Sequence, residues 1–237
     1  MCGPRFAGGR LSQQRDPPRM RSVRSLIAAF ALLVAAKAAV AMPHFLAKQT
    51  DQSLSFTVTR NGGAIGYHNF VFRPRKGGVE VRVEADIRVS FLLIPFFVFE
   101  QQGVEIWESG RLVSMDYVTN DDGARHSVKA ERAGSRLRVS VDGKPPTTHP
   151  EMLPGSLWYP PSPDTTMMLD PGDGSPTPLK VQALGEDTIS VRGKPTRATR
   201  WLWDDGLRRE LWYDADQTLV QVWIRGDDGS DIYYVLR

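Results

Sequence analysis

From Val79 to Phe91 every second residue is apolar: Val79, Val81, Val83, Ala85, Ile87, Val89 and Phe91. The residues between them, Glu80, Arg82, Glu84, Asp86, Arg88 and Ser90, are polar. A period of two over thirteen residues marks a β-strand with one buried face and one wet face. At about 3.3 Å per residue it would reach roughly 43 Å, where five or six residues is the common strand length. Such a strand suits a strongly curved or barrel-like sheet better than a small sandwich.

Turn signals divide the rest of the chain in the same manner. Asn61-Gly62-Gly63 separates strands expected at 53–60 and 64–73, and Lys76-Gly77-Gly78 leads into the long strand. Ser109-Gly110 separates 97–108 from 111–119, Asn120 to Gly123 precedes 124–132, and Ala133-Gly134-Ser135 precedes 136–142. These residue types tolerate positive φ cheaply, so they mark hairpins. Further strands are expected at 179–184, 188–192, 196–203, 207–213, 218–225 and 230–236, and no long helix is expected. The fold class that follows is all-β: an antiparallel up-and-down meander of about a dozen strands, forming a strongly curved sheet or partly open barrel. Residues 143–178 interrupt it with ten of the 17 prolines, which cannot donate to a ladder. This Pro-rich crossover carries Leu153, Leu157, Trp158, Tyr159, Met167, Met168 and Leu169, with a short helical turn expected at Met167–Leu169. Three readings stay open for it: a loop packed on the sheet to cover one end, a lid over a ligand cavity, or a linker.

Residues 1–41 read as a signal peptide. Leu26 to Ala36 is an apolar run of eleven, too short for about 30 Å of hydrocarbon. Arg21 and Arg24 precede it, and Ala39-Val40-Ala41 offers the small residues that a signal peptidase reads. Met20 to Ala41 is complete by itself, which makes Met20 an alternative start. Export to the periplasm, or secretion, with cleavage near Ala41 is the expectation, leaving 42–237 as one β domain without a second long apolar run. Cys2, the sole cysteine, falls in the removed part and outside a lipoprotein signal context, so the remainder has no thiol. The chain's net charge of +3 is also local. Removing seven basic groups and one acid in residues 1–41 from totals of 30 and 27 leaves 42–237 at −3. A phosphate-binding footprint, and hence a nucleic-acid partner, is not expected.

One series of short motifs resembles a known family. Gly62-Gly63-Ala64-Ile65-Gly66-Tyr67-His68 is followed by Glu105-Ile106-Trp107, Gly110-Arg111-Leu112 and Thr119-Asn120-Asp121-Asp122-Gly123. Leu169-Asp170-Pro171-Gly172-Asp173-Gly174 and Leu211-Trp212-Tyr213-Asp214-Ala215 complete it. Over about 54–237 this resembles the bacterial exported family catalogued as domain of unknown function 6134. Leu157-Trp158-Tyr159 departs from the family's tendency to an aromatic pair followed by Asn. The resemblance implies an exported antiparallel β-protein, similar to the half-barrels of lipoprotein carriers. It implies no activity and transfers no catalytic residue.

The residues themselves offer little chemistry. There is no G-x-S-x-G elbow, no zinc-binding His-Glu spacing and no glycine-rich phosphate loop. His68 and His126 lie in strands that could face each other, but two histidines without a third ligand are weak support for zinc. Asp170/Asp173 and Asp227/Asp228/Asp231 resemble calcium loops only superficially, and Asp-Gly turns account for both. No cofactor or metal is implied. Glu105 is the acid of most interest, because it shares the expected inward face with Phe97, Phe99 and Trp107. Burial would raise its pKa, as a general acid requires. The competing reading is a carboxylate held across the sheet by an arginine, with Arg200 as candidate.

The strongest anomaly is apolar. Phe91 to Phe99 is nine consecutive apolar residues joining two long strands, where a hairpin tip is ordinarily polar. Either the crossover buries them, or they form an apolar ligand mouth or membrane-touching tip. The leading expectation is non-enzymatic binding or carriage of an apolar or amphipathic ligand, such as a lipid or acylated protein. Its candidate ligand-binding residues are Phe91, Leu93, Ile94, Phe96, Phe97, Phe99, Glu105, Trp107, Trp158 and Tyr159. The alternatives are an envelope protein-interaction scaffold and a hydrolase using Glu105 or His68.

Overall fold

The computed structural model describes residues 42–48, 50, 52–91, 94–226 and 228–237, without the side chains of 48, 91 and 94–96. The chain divides into units at Met1–Lys37 and Ala38–Arg237, and only the second falls within this description. The signal-peptide reading of 1–41 therefore lies outside the described residues, as does Asp227.

Alternation becomes strand almost wherever it occurs. After a 3₁₀ segment at His44–Lys48 come β1 (Gln52–Arg60), β2 (Gly63–Arg75), β3 (Gly78–Phe91), β4 (Ile94–Glu108), β5 (Arg111–Asp121), β6 (Ala124–Ala133) and β7 (Arg136–Val141). The Pro-rich region holds β8 (Thr147–Pro150), β9 (Leu153–Pro154), β10 (Met167–Leu169) and β11 (Pro176–Pro178). The last run is β12 (Lys180–Val191), β13 (Lys194–Asp204), β14 (Arg208–Asp214), β15 (Leu219–Arg225) and β16 (Asp231–Leu236).

Thirteen strands form one antiparallel sheet in the order β12-β13-β14-β15-β16-β1-β2-β3-β4-β5-β6-β7-β8. Neighbours are consecutive in sequence at every step except one. There β16 pairs with β1, Phe56 opposite Leu236 and Arg60 opposite Ile232. The sheet is not closed, since β12 and β8 are its edges, and residues 151–179 run from one edge strand to the other. Three expectations change here. The strands expected at 179–184 and 188–192 are one strand, β12, bulged between Ala183 and Gly185, because a bulge absorbs the extra residue without ending the ladder. Residues 143–150 are a turn and β8 rather than crossover. Met167–Leu169 is no helical turn: it pairs with Leu153–Pro154 on one side and Pro176–Pro178 on the other, in a separate three-stranded sheet.

The curvature follows from contacts that a flat sheet could not make. Tyr213 on β14 bonds the Leu157 and Tyr159 carbonyls, while Trp158 packs on Trp107 of β4. Six strand intervals separate β14 from β4, about 29 Å in a flat sheet. A tripeptide reaches at most about 10 Å, so the sheet must curl around Leu157–Tyr159. Its inner face supplies Phe56, Phe70, Phe72, Val81, Tyr117, Leu137, Leu211 and Val222, all essentially inaccessible. The crossover adds Met152, Leu157, Trp158, Tyr159, Met168 and Leu169 to that core. Each such side chain contributes about 1.5–3 kcal/mol by leaving water. The crossover thus packs its apolar residues on the sheet, as in the first of the three readings above, but as the filling of the curl rather than a cover over one end. The 3₁₀ segment closes over one end, with Phe45 edge-on to Phe72 at 5.0 Å.

Candidate functional site

Glu105 is completely buried on the inner face of β4. Its Oε2 accepts the Trp107 indole N–H at 2.7 Å and the Trp158 indole N–H at 2.9 Å, and its Oε1 accepts the Tyr117 hydroxyl at 2.6 Å. Ser156 also lies close to the carboxylate, yet its hydroxyl has no hydrogen-bond partner. The groups are delivered by local structure. Trp107 shares Glu105's face two residues along β4. Tyr117 stands opposite Gly103, and a Cβ on Gly103 would overlap the Tyr117 ring, so glycine there lets the phenol lie flat toward Glu105. A bulge steps the β4–β5 register from Ile106 opposite Ser114 to Trp107 opposite Leu112. That step brings both Leu112 and Met115 to the inner face.

Burial pushes the Glu105 carboxyl above its ordinary range, and the hydrogen bonds from Tyr117, Trp158 and Trp107, with the nearby Ser156 hydroxyl, pull the other way. Desolvating a carboxylate costs several kcal/mol. Hydrogen bonds to a charged group return roughly 1.5–3 kcal/mol each. The direction says desolvation wins. Burial likewise lifts the Tyr117, Tyr159 and Tyr213 hydroxyls well above their usual value, so all three stay protonated donors. With both oxygens occupied, the carboxylate acts as an anchor that ties the crossover, through Trp158, to the sheet.

The crossover is held at a strained point. Leu157 has φ 65°, a region that a bulky side chain rarely occupies. The Tyr213 hydroxyl lies 2.6 Å from the Leu157 carbonyl and 2.8 Å from the Tyr159 carbonyl, and Tyr159 in turn bonds the Pro154 carbonyl. Trp107, Trp158, Tyr159 and Phe72 pack in one aromatic group with ring centroids 5.1–5.3 Å apart.

Of the candidate residues, Glu105, Trp107, Trp158 and Tyr159 are therefore together. Phe97 and Phe99 are not with them. Pairing of β3 with β2 ends at Ile87 opposite Gly66, and pairing of β4 with β5 ends at Phe99 opposite Asp121. Residues 88–91 and 94–98 therefore pair as strands only with one another, as a two-stranded arm at the far end of the sheet, with one further bond from the Asp122 N–H to the Val98 carbonyl. Val89, Phe97, Val98 and Phe99 are half-buried there. The side chains of Phe91, Leu93, Ile94 and Phe96 lie outside the described residues. Sequence reasoning missed Tyr117, Ser156, Tyr213 and the space at Gly103. An unbulged Ser109-Gly110 hairpin would place Ser114, not Met115, opposite Glu105, and would turn Tyr117 outward.

Arg200 does not reach Glu105. It pairs with Glu210 and approaches Asp187 at 3.6 Å, on the opposite face of the sheet. Its partner Glu210 is nearly inaccessible, and its guanidinium stacks over Trp212 at 5.3 Å. His68 and His126 do not meet as a pair. His68 is buried, packs on Phe70 and Tyr234, and has an unpartnered Nε2; His126 contacts Asp142 at 3.1 Å. Asp170 and Asp173 cap their own turn, accepting the Gly172 and Ser175 N–H groups. Asp228 and Asp231 pair with Arg60 and Arg225. Among the described residues no three His, Cys, Asp or Glu side chains gather as metal ligands, and no helix is long and apolar enough to cross a membrane.

Residues 56–237 match the family model described as Domain of unknown function (DUF6134). No curated protein matches the chain. Among solved structures, the chain is similar to a crystal structure of a beta-barrel-like protein of domain of unknown function DUF1849 from Brucella abortus. The TM-score is 0.58 at 11% identity, over 80% of this chain and 96% of that one. At that identity the likeness is one of fold.

Proposed function

The chain belongs to the family Domain of unknown function (DUF6134), and from that premise we propose that it binds and carries an apolar or amphipathic molecule, such as a lipid or acylated protein. The role is non-enzymatic and is exercised after export to the periplasm. One observation carries the reading: the longest hairpin outruns both neighbouring strands, and its overhang is apolar in sequence from Phe91 to Val98, with Phe99 at its base. The arm is paired as strand on neither outer side, and its described apolar side chains Val89, Phe97 and Val98 keep part of their surface in water, which favours an apolar partner. The crossover fills the curled interior beside Glu105, so the ligand lies along the arm rather than deep within the sheet. The basic flank, short apolar run and Ala39-Val40-Ala41 of residues 1–41 support export.

The test is native mass spectrometry after gentle purification, with binding to a lipid extract in parallel. The protein is expected to retain an apolar adduct. A Phe97→Asp/Phe99→Asp double variant is expected to lose it at least about tenfold while keeping its unfolding midpoint within a few degrees. Absence of any adduct or extract binding by the unmodified protein overturns the reading. So does a crosslinked protein partner on the arm with no lipid retained, which would make the molecule an envelope scaffold.

A further inference from the structure

A groove of about 410 Å³ lies at the opposite end of β3 from the arm, between the 3₁₀ segment and the turns that precede β3 and follow β4. Its walls are chiefly apolar, with Met42, Leu46 and Pro74 partly exposed above the buried Val79 and Trp107. Clefts of this volume, apolar with a few placed polar groups, are the usual form of small-molecule sites. The charged residues lining it are His44 and Arg75, and no carboxylate lines it among the described residues. His44 is already engaged by Asp216 at 3.5 Å. Arg75 is half-exposed and met by Glu80 only at 3.8 Å, while the other Glu80 oxygen is taken by Arg82 at 2.9 Å.

We propose that this groove is a second binding site, for a free single-chain carboxylate amphiphile: the alkyl chain lies on the partly exposed Leu46 and Pro74, and the carboxylate meets the Arg75 guanidinium. Among the described residues, an apolar bed with the Arg75 cation at its lip and no lining acid complements a monoanionic head on an alkyl tail. A cationic or bulky zwitterionic head would meet Arg75 unfavourably. The site stands apart from the arm, because the groove adjoins Gly78 and the arm begins beyond Ile87 on the same strand.

The experiment titrates octanoate, nonanoate and decanoate into the purified protein, following the heat of binding. Each methylene that enters the groove raises affinity about fourfold. Ala47→Trp, on the exposed side of the 3₁₀ segment, fills the groove and weakens decanoate at least about tenfold. Arg75→Glu weakens decanoate at least about fivefold and leaves decanol unchanged. Both variants should keep the parent's unfolding midpoint. The proposal is overturned if decanoate shows no saturable binding below its micelle concentration, or if both variants bind as the parent does. It is also overturned if the Phe97→Asp/Phe99→Asp variant, rather than Ala47→Trp, removes the binding. That last result would leave the arm reading intact and the groove unassigned.

Discussion

Burial holds the Glu105 carboxyl above its ordinary value of 4.5, and burial alone lowers His68 from 6.5 to about 4. The two act on stability with opposite signs. As pH rises above about 4.5, unfolded chains release the Glu105 proton while the folded state retains it. Glu105 therefore subtracts stability as pH climbs toward its raised folded value. His68 must stay neutral in the fold, so its contribution is complete above pH 6.5 and is lost as pH falls toward 4. The size is about 3 kcal/mol. Urea midpoints measured from pH 4 to 7 should show His68→Phe with a flattened acid limb. Glu105→Gln should lack the decline that begins above about pH 4.5. Parallel profiles for parent and variants would contradict both assignments. Gly103→Ala probes the same cluster sterically: its Cβ would push the Tyr117 ring off Glu105. A loss of about 1–3 kcal/mol is expected, with altered near-ultraviolet circular dichroism from the tryptophans.

Strands were legible in the sequence because one face of each meets the interior and the other meets water, as in β3. Their ends were legible because the turns use Asn, Gly and Ser at positive φ, as at Asn61 and Ser109. What alternation does not carry is the relation between strands. Ala198, Arg200 and Leu202 do share a face, but which face was decided by the curl of the sheet, so Arg200 belongs with Glu210 and not Glu105. The β9–β11 sheet was hidden by prolines, which suppress the pattern even where three residues pair. The β3–β4 hairpin carries a prediction of its own. Residues 88–90 and 97 meet a strand partner only within the hairpin, whereas 80–86 are flanked by β2 and β4 along their length. Hydrogen exchange is expected to be at least about tenfold faster in the overhang, and addition of a bound lipid should slow it there selectively. Equal protection along β3 would mean that the arm is covered by the protein itself.

Sheet order places the first and last strands side by side, a long-range pairing that no local signal announces. It makes the thirteen strands continuous, whereas consecutive hairpins alone would leave two separate sheets, β1 to β8 and β12 to β16, joined only by the crossover. The geometry permits a direct test. The Arg237 N–H donates to the Ser55 carbonyl at 2.8 Å, and Ser55 is three residues into β1. Arg237 thus lies about 10 Å along the strand from Gln52, a distance that six flexible residues bridge. A circular permutant joining Arg237 to Gln52 through Gly/Ser, opened at the exposed Gly143-Lys144 turn, keeps every strand pair and the crossover. It should unfold cooperatively, with a midpoint within about 10 °C of residues 52–237 in native order. Deleting Asp231–Arg237 instead strands the paired edges of β1 and β15, and should give insoluble or molten protein. A permutant that fails to fold, beside a deletion that folds, would show that β16 and β1 are not partners.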